Sequence, residues 1–96
     1  MVMGQVVGTV VATHKDEKLR GATLQIVQVV DLHLQHKESF LIVVDSVGAG
    51  EGEIVLCASG SSARQTASTE NRPVDAVIMA IVDSFEVMGE VRFRKK

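Results

Sequence analysis

The sequence predicts an all-β domain, a small five-stranded barrel carrying one short helix. Three observations carry this. Apolar runs rich in β-branched residues recur five times along the 96 residues, and each is set off from the next by glycine or polar punctuation. At most one segment reads as helical, so the crossover helices that parallel sheets require are missing and the strands must pair mainly antiparallel. Five short antiparallel strands escape open edges most simply by closing into a barrel, and an OB-like barrel fits best.

Residues 2–13 form the first run, with Gly4 and Gly8 spaced four apart; that spacing predicts both on one face, where a strongly curved barrel strand needs relief. Lys15-Asp16-Glu17-Lys18 and Gly21 supply a turn before the second run, residues 24–30. The polar stretch 31–39 reads as a loop leading to a third strand at 40–45. Gly48-Ala49-Gly50-Glu51-Gly52 separates it from a fourth at 53–58. Residues 60–67 follow, where Ser61 or Ser62 is placed to cap one short helix that ends before Pro73. The fifth run is 76–87. Residues 1–91 read as a single domain, and residues 92–96, with Arg92, Arg94, Lys95 and Lys96, as a basic C-terminal tail, solvated and disordered.

Composition narrows the function classes. With 46% hydrophobic and 23% charged residues the chain is a folded globule, but one this short buries only about 60% of its unfolded surface, so its core is thin. The net charge is −2, the cations are scattered apart from the tail, and no Trp or Tyr accompanies Phe40, Phe85 and Phe93. A nucleic-acid-binding barrel needs a basic groove with aromatic platforms, so no nucleic-acid partner is expected. The single cysteine, Cys57, allows no disulfide within the chain and suits a reducing cytoplasm. No run approaches the ~18 apolar residues of a membrane span, and the start lacks the pattern of an export signal, which predicts a soluble, unexported protein with no membrane partner.

An antiparallel strand with one wet face alternates apolar and polar residues, yet Val6-Val7, Val10-Val11, Val29-Val30, 41–44 and 76–82 are apolar on both. A single small barrel has only one inside. The second apolar face predicts contact with other subunits, hence a homo-oligomer.

The groups that could carry chemistry fit quieter roles. His33 and His36, with Asp31 and Glu38 near, complete no zinc-ligand spacing, so no metal is expected and the histidines read as surface residues. The glycine-rich loop admits two readings: a tight turn, or an anion- or small-molecule-binding loop that presents backbone N–H groups, although the Lys-Ser or Lys-Thr of a phosphate loop is missing. Ser61, Ser62 and Arg64 invite a nucleophile, but no histidine has a motif relation to either serine, and a helix cap with an interface arginine fits better. Asp75 and Asp83 read as turn or hydrogen-bonding groups, and Cys57 as a small inert hydrophobe. No catalytic residue and no cofactor emerge.

Taken together, these segments resemble the EutN/CcmL family of bacterial microcompartment vertex proteins over nearly the whole chain. The resemblance is carried by Met3 through Thr13, by Leu19-Arg20-Gly21 with Leu24, and most specifically by Asp45-Ser46-Val47-Gly48-Ala49-Gly50-Glu51-Gly52-Glu53-Ile54-Val55-Leu56, Gly60-Ser61-Ser62-Ala63-Arg64, and Pro73-Val74-Asp75-Ala76 leading to Ile81-Val82-Asp83. Met79-Ala80 departs from the small residue and glycine usual before Ile81. The resemblance implies an OB-like subunit assembling as a pentameric ring at the fivefold corners of a shell otherwise tiled by hexagonal proteins, with no enzyme activity. It also implies that Gly48, Ala49, Gly50, Glu51 and Gly52 lie near the ring axis and that Ser61, Ser62 and Arg64 are interface or structural positions. The alternative left open is an oligomeric β-barrel module that binds a small molecule or anion through that loop.

Overall fold

The chain is represented by a computed structural model that describes residues 1–67, 69–70 and 73–96. Five strands close a barrel in the order β1-β2-β3-β5-β4: β1 Val2–Val10, β2 Leu24–Val30, β3 His36–Asp45, β4 Ile54–Ser59 and β5 Ala76–Ile81. Two further strands, β6 Ser84–Val87 and β7 Glu90–Arg94, pair with each other as a separate two-stranded sheet. The expected all-β barrel is therefore present, and its pairings are antiparallel except for β3 with β5, which run parallel at Val44↔Val77 and Asp45↔Ile78. That parallel pair needs no crossover helix, because β4 and the segment after it carry the chain across.

The strand boundaries differ from the sequence expectation in three places. β3 starts at His36, inside the stretch expected to be a loop. The fifth run is divided into β5 and β6 at Val82-Asp83, where the Val82 N–H still donates to the Ile54 carbonyl at 2.8 Å. Arg92 and Arg94, expected in a disordered tail, lie in β7. The short helix is a single 3₁₀ turn, Gly60–Arg64, whose N-cap is Ser59 with no side-chain capping bond; Ser61 and Ser62 sit exposed within the turn and cap nothing. A second 3₁₀ turn, Glu17–Leu19, begins at Asp16, whose carboxylate accepts from the Lys18 N–H at 2.9 Å.

Gly4 and Gly8 do not share a face. The β1–β2 register skips Val7, pairing Val6 with Val27 and Gly8 with Ile26. A one-residue slip in a strand turns every later side chain to the opposite side. Gly4 is thus buried inside the barrel, where an added Cβ would lie 2.4 Å from Val27 Cγ1 and 2.8 Å from the Gln28 carbonyl oxygen, whereas Gly8 faces out beside Ile26.

The barrel interior is filled by Val6, Val27, Val43, Val55, Cys57 and Ile78, with Ala49 closing it from the β3–β4 loop. Burial pushes the Cys57 thiol up to about 11, which keeps it protonated and inert. The outer face of β3, β5 and β4 has its own cover: Val44, Ala58 and Val77 pack with Ala63 of the 3₁₀ turn and Val74. Apolar character on both faces is therefore answered within the chain on that side of the barrel, which corrects the expectation that all of it faces other subunits. On the outer face of β2 and β3 it is not answered, for Phe40 stays 57% exposed and Ile42 52%.

Candidate functional site

The glycine-rich loop is a set of turns tied to its own carboxylates. At the end of β3, one Asp45 oxygen accepts from the Val47 N–H at 3.0 Å and the Gly48 N–H at 2.9 Å. Gly48 adopts φ 78° and Gly52 φ 89°, a region that side chains disfavour. Buried Gln25 of β2 donates from Nε2 to the Ala49 carbonyl at 3.0 Å, and its own Oε1 accepts from the Thr9 hydroxyl at 3.0 Å. Glu53 Oε1 accepts from the Gly50 N–H at 2.6 Å, the Gly52 N–H donates to the Val6 carbonyl at 2.8 Å, and Gln5 Nε2 donates to the Gly52 carbonyl at 3.0 Å. Glu51 remains exposed at the tip.

The amides of Val47, Gly48, Gly50 and Gly52 are consequently all engaged. Two carboxylates stand where an anion would have to bind, so the geometry favours the tight turn over the anion loop. Electrostatics reinforce it. The Lys95 ammonium and then the Gly50 N–H hold the Glu53 carboxyl below its ordinary range, while Glu53 raises Lys95 in return.

The second group of candidates lies across the barrel wall. Arg64 Nη1 donates to the Val74 carbonyl at 3.1 Å, which ties the end of the 3₁₀ turn to the chain entering β5 and holds Ala63, fully buried, against Val77. An open cleft beside it is lined by Arg64, Gln65, Thr66, Glu70 and Pro73. Among the described residues no hydrogen bond joins a histidine to Ser61 or Ser62: the His36 ring nitrogen Nε2 lies 2.6 Å from Gln5 Oε1, and His33 sits in the β2–β3 loop, its N–H donating to Asp31 at 2.8 Å. Among the described residues, no group of three or more His, Cys, Asp or Glu side chains could hold a metal ion.

A barrel of this strand order, with a self-bonded glycine turn at one end and an arginine-tied 3₁₀ turn on its wall, can be set beside known proteins. The family model described as "Ethanolamine utilisation protein EutN/carboxysome" matches residues 1–83. The chain belongs to the EutN/CcmL family. Among its relatives, the bacterial microcompartment shell vertex protein GrpN of Rhodospirillum rubrum is 44% identical over 93% of this chain and 100% of its own. The carboxysome shell vertex protein CcmL of a Nostoc species is 43% identical over 100% of this chain and 96% of its own, and the vertex protein EutN of Salmonella typhimurium is 38% identical over 99% of this chain. The solved Nostoc CcmL structure superposes with a TM-score of 0.96 over 99% of this chain and 100% of its own, and the solved pentameric GrpN shell protein with 0.84 over 91% and 99%.

Within this EutN/CcmL member, sequence reasoning missed two features. One is the pair of long-range polar anchors of the glycine turn, Gln25 and Lys95, which come from 24 and 42 residues away from the groups they hold. The other is the β6–β7 hairpin, which begins immediately after the family match ends at Asp83. Its signal was there to read: Phe85 and Val87, then Met88-Gly89, then Val91 and Phe93, a two-residue turn between two alternating runs.

Proposed function

We propose that the chain is a structural shell protein, five copies of which form a ring that caps the fivefold vertices of a bacterial microcompartment, in the bacterial cytoplasm, beside hexagonal shell proteins. The observation that carries this reading is the likeness along nearly the full chain to proteins described as shell vertex proteins, including one solved as a pentamer. The chemistry that is described agrees with a building block: the thiol is buried and protonated, and the glycine turn satisfies its own amides. In the ring, Gly48, Ala49, Gly50, Glu51 and Gly52 lie toward the axis, where small residues let five loops approach closely. Ser61, Ser62 and Arg64 lie on the exposed wall and serve the subunit contact or the fold beneath it. Native mass spectrometry tests the reading directly: a five-subunit species at micromolar concentration is expected, and a dominant monomer overturns it.

A further inference from the structure

The glycine turn spends its amides on its own carboxylates, whereas the loop between β1 and β2 gathers cations and leaves two of its ionisable groups unengaged. That loop is fixed at several points. Val10 pairs with Leu24 where the two strands part, and Leu19 and Ala22 pack against the cluster of Val44, Ala58 and Val77 on the barrel wall. Between these anchors the Leu19 N–H donates to the Asp16 carbonyl at 2.9 Å, the Arg20 N–H to the Glu17 carbonyl at 3.0 Å and the Ala22 N–H to the Leu19 carbonyl at 3.1 Å. The chain from Arg20 to Ala22 is thereby held facing the end of β1.

Between the two lies an open pocket of about 450 Å³, lined by Ala12, Thr13, His14, Lys15, Arg20 and Gly21. Gly21 adds no side chain to the space it borders, and a Cβ there would meet nothing within 4 Å. Among the described residues no carboxylate lines this pocket; the nearest in sequence, Asp16, accepts from the Lys18 N–H at 2.9 Å. Among the same residues no hydrogen bond or ion pair engages the His14 ring or the Lys15 ammonium, although Lys15 is half-buried. A half-buried ammonium gives up hydration, and here no counter-charge within the chain offsets the loss. Arg20 has a partner of its own and adds its charge to the wall. The local charge also runs against that of the molecule: residues 13–21 hold Lys15, Lys18 and Arg20 against Asp16 and Glu17, a net of +1 in a chain of −2, so the remainder carries −3.

We infer that this pocket binds a phosphate dianion, free or carried by a small molecule, with Lys15 and His14 donating to its oxygens, the Thr13 hydroxyl adding a neutral bond and Arg20 supplying charge. Two cations beside an imidazole and a hydroxyl match the double charge and several acceptor oxygens of a phosphate better than the single charge and two oxygens of a carboxylate. The pocket is also larger than the ion itself. Its volume falls among those of small-molecule sites, about 300–1,000 Å³, which leaves space beside Ala12 and Gly21 for the body of a phosphorylated molecule. A polyanion such as a nucleic acid is the wrong size of partner, since the surface beyond this loop is negative. The site needs one chain only and stands apart from the ring reading.

A proton NMR titration of the full chain at constant pH tests it, following the His14 ring signals, which are identified by their loss in His14→Gln. The probes are inorganic phosphate and glycerol 3-phosphate, with sodium chloride at equal ionic strength and glycerol as controls. Both phosphates are expected to move the His14 signals saturably, with a Kd of about 1 mM or tighter, while those of His33 and His36 stay in place. Lys15→Gln is expected to weaken binding roughly tenfold or more and Lys15→Arg by no more than about threefold. Neither should change the melting temperature, because Lys15 has no partner in the chain to lose. An ester bound several-fold more tightly than inorganic phosphate assigns the pocket to a phosphorylated molecule, and equal binding assigns it to the free ion. Movement that never saturates, that sodium chloride reproduces, or that Lys15→Gln leaves unchanged overturns the inference and leaves the ring reading standing.

Discussion

Gly4 and Gly8 are the same residue in the same strand, and the skipped pairing at Val7 gives them opposite tolerances. A methyl group at Gly4 would meet the Gln28 carbonyl oxygen at 2.8 Å as well as Val27, and backbone cannot step aside; Gly4→Ala is expected to cost about 1–3 kcal/mol in urea unfolding at fixed protein concentration. At Gly8 the nearest atom is Ile26 Cδ1 at 3.4 Å, the movable end of a side chain, so Gly8→Ala is expected to stay within about 0.5 kcal/mol of the parent. Equal losses at both positions would remove the bulge from the account. Arg64 is decided at the same scale. Its bond to the Val74 carbonyl is internal to the chain, so Arg64→Ala is expected to lower the melting temperature by the equivalent of about 0.5–1.5 kcal/mol, and unchanged melting with unchanged rings would deny it both a structural and an interface role.

The glycine turn is a pH-sensitive element, because the Glu53–Lys95 latch that helps to hold it is charged at both ends. Glu53 has a folded-state pKa lowered from 4.5, chiefly by Lys95, so its contribution is complete above the unfolded value and is lost as the pH falls through the lowered one. Asp31 acts on the same acidic side: the Gln35 and His33 amides lower it from 3.8, holding the β2–β3 loop together while ionised. Lys95 is raised from 10.5, so its part of the latch is complete below that value and is lost as the pH rises through the raised one. Stability should therefore be flat through neutral pH and fall at both ends, and Glu53→Gln should flatten both limbs while leaving the share due to Asp31. A variant with the parent's full pH profile would show that the latch contributes nothing. None of this was legible in the sequence. The five barrel strands were, since β-branched runs between glycines report local preference, but Lys95 meets Glu53 across 42 residues and only the closed fold brings them together. β7 was hidden for a related reason: Arg92 and Arg94 read as a solvated tail until Phe93 is seen opposite Phe85.

At the scale of the whole molecule, the sequence showed strands apolar on both faces and the structure separates the two causes. Val44, Ala58 and Val77 are covered from within by Ala63 and Val74, while Phe40 and Ile42 stay exposed on the chain's own surface. The distinction matters because a shell component is defined by what it leaves uncovered. Hexagonal tiles alone cover a plane or a tube, and closing them into a polyhedron requires fivefold corners, so a vertex ring is needed for closure even though it is a minor part of the shell by mass. Deleting this chain is thus expected to leave the encapsulated enzymes active in themselves but to give elongated or open shells. Ile42→Glu, which places a charge on the uncovered face while leaving the inward residues of β3 untouched, should reproduce that defect without unfolding the barrel, since an unpaired charge desolvated at the centre of an interface costs several kcal/mol by general estimates. Electron microscopy of shells assembled with the parent chain, with Ile42→Glu and with no vertex chain compares the three. Closed polyhedra in all three, with no gaps at their corners, would remove the vertex assignment, and gaps in the deletion alone would keep the assignment and acquit the β2–β3 face.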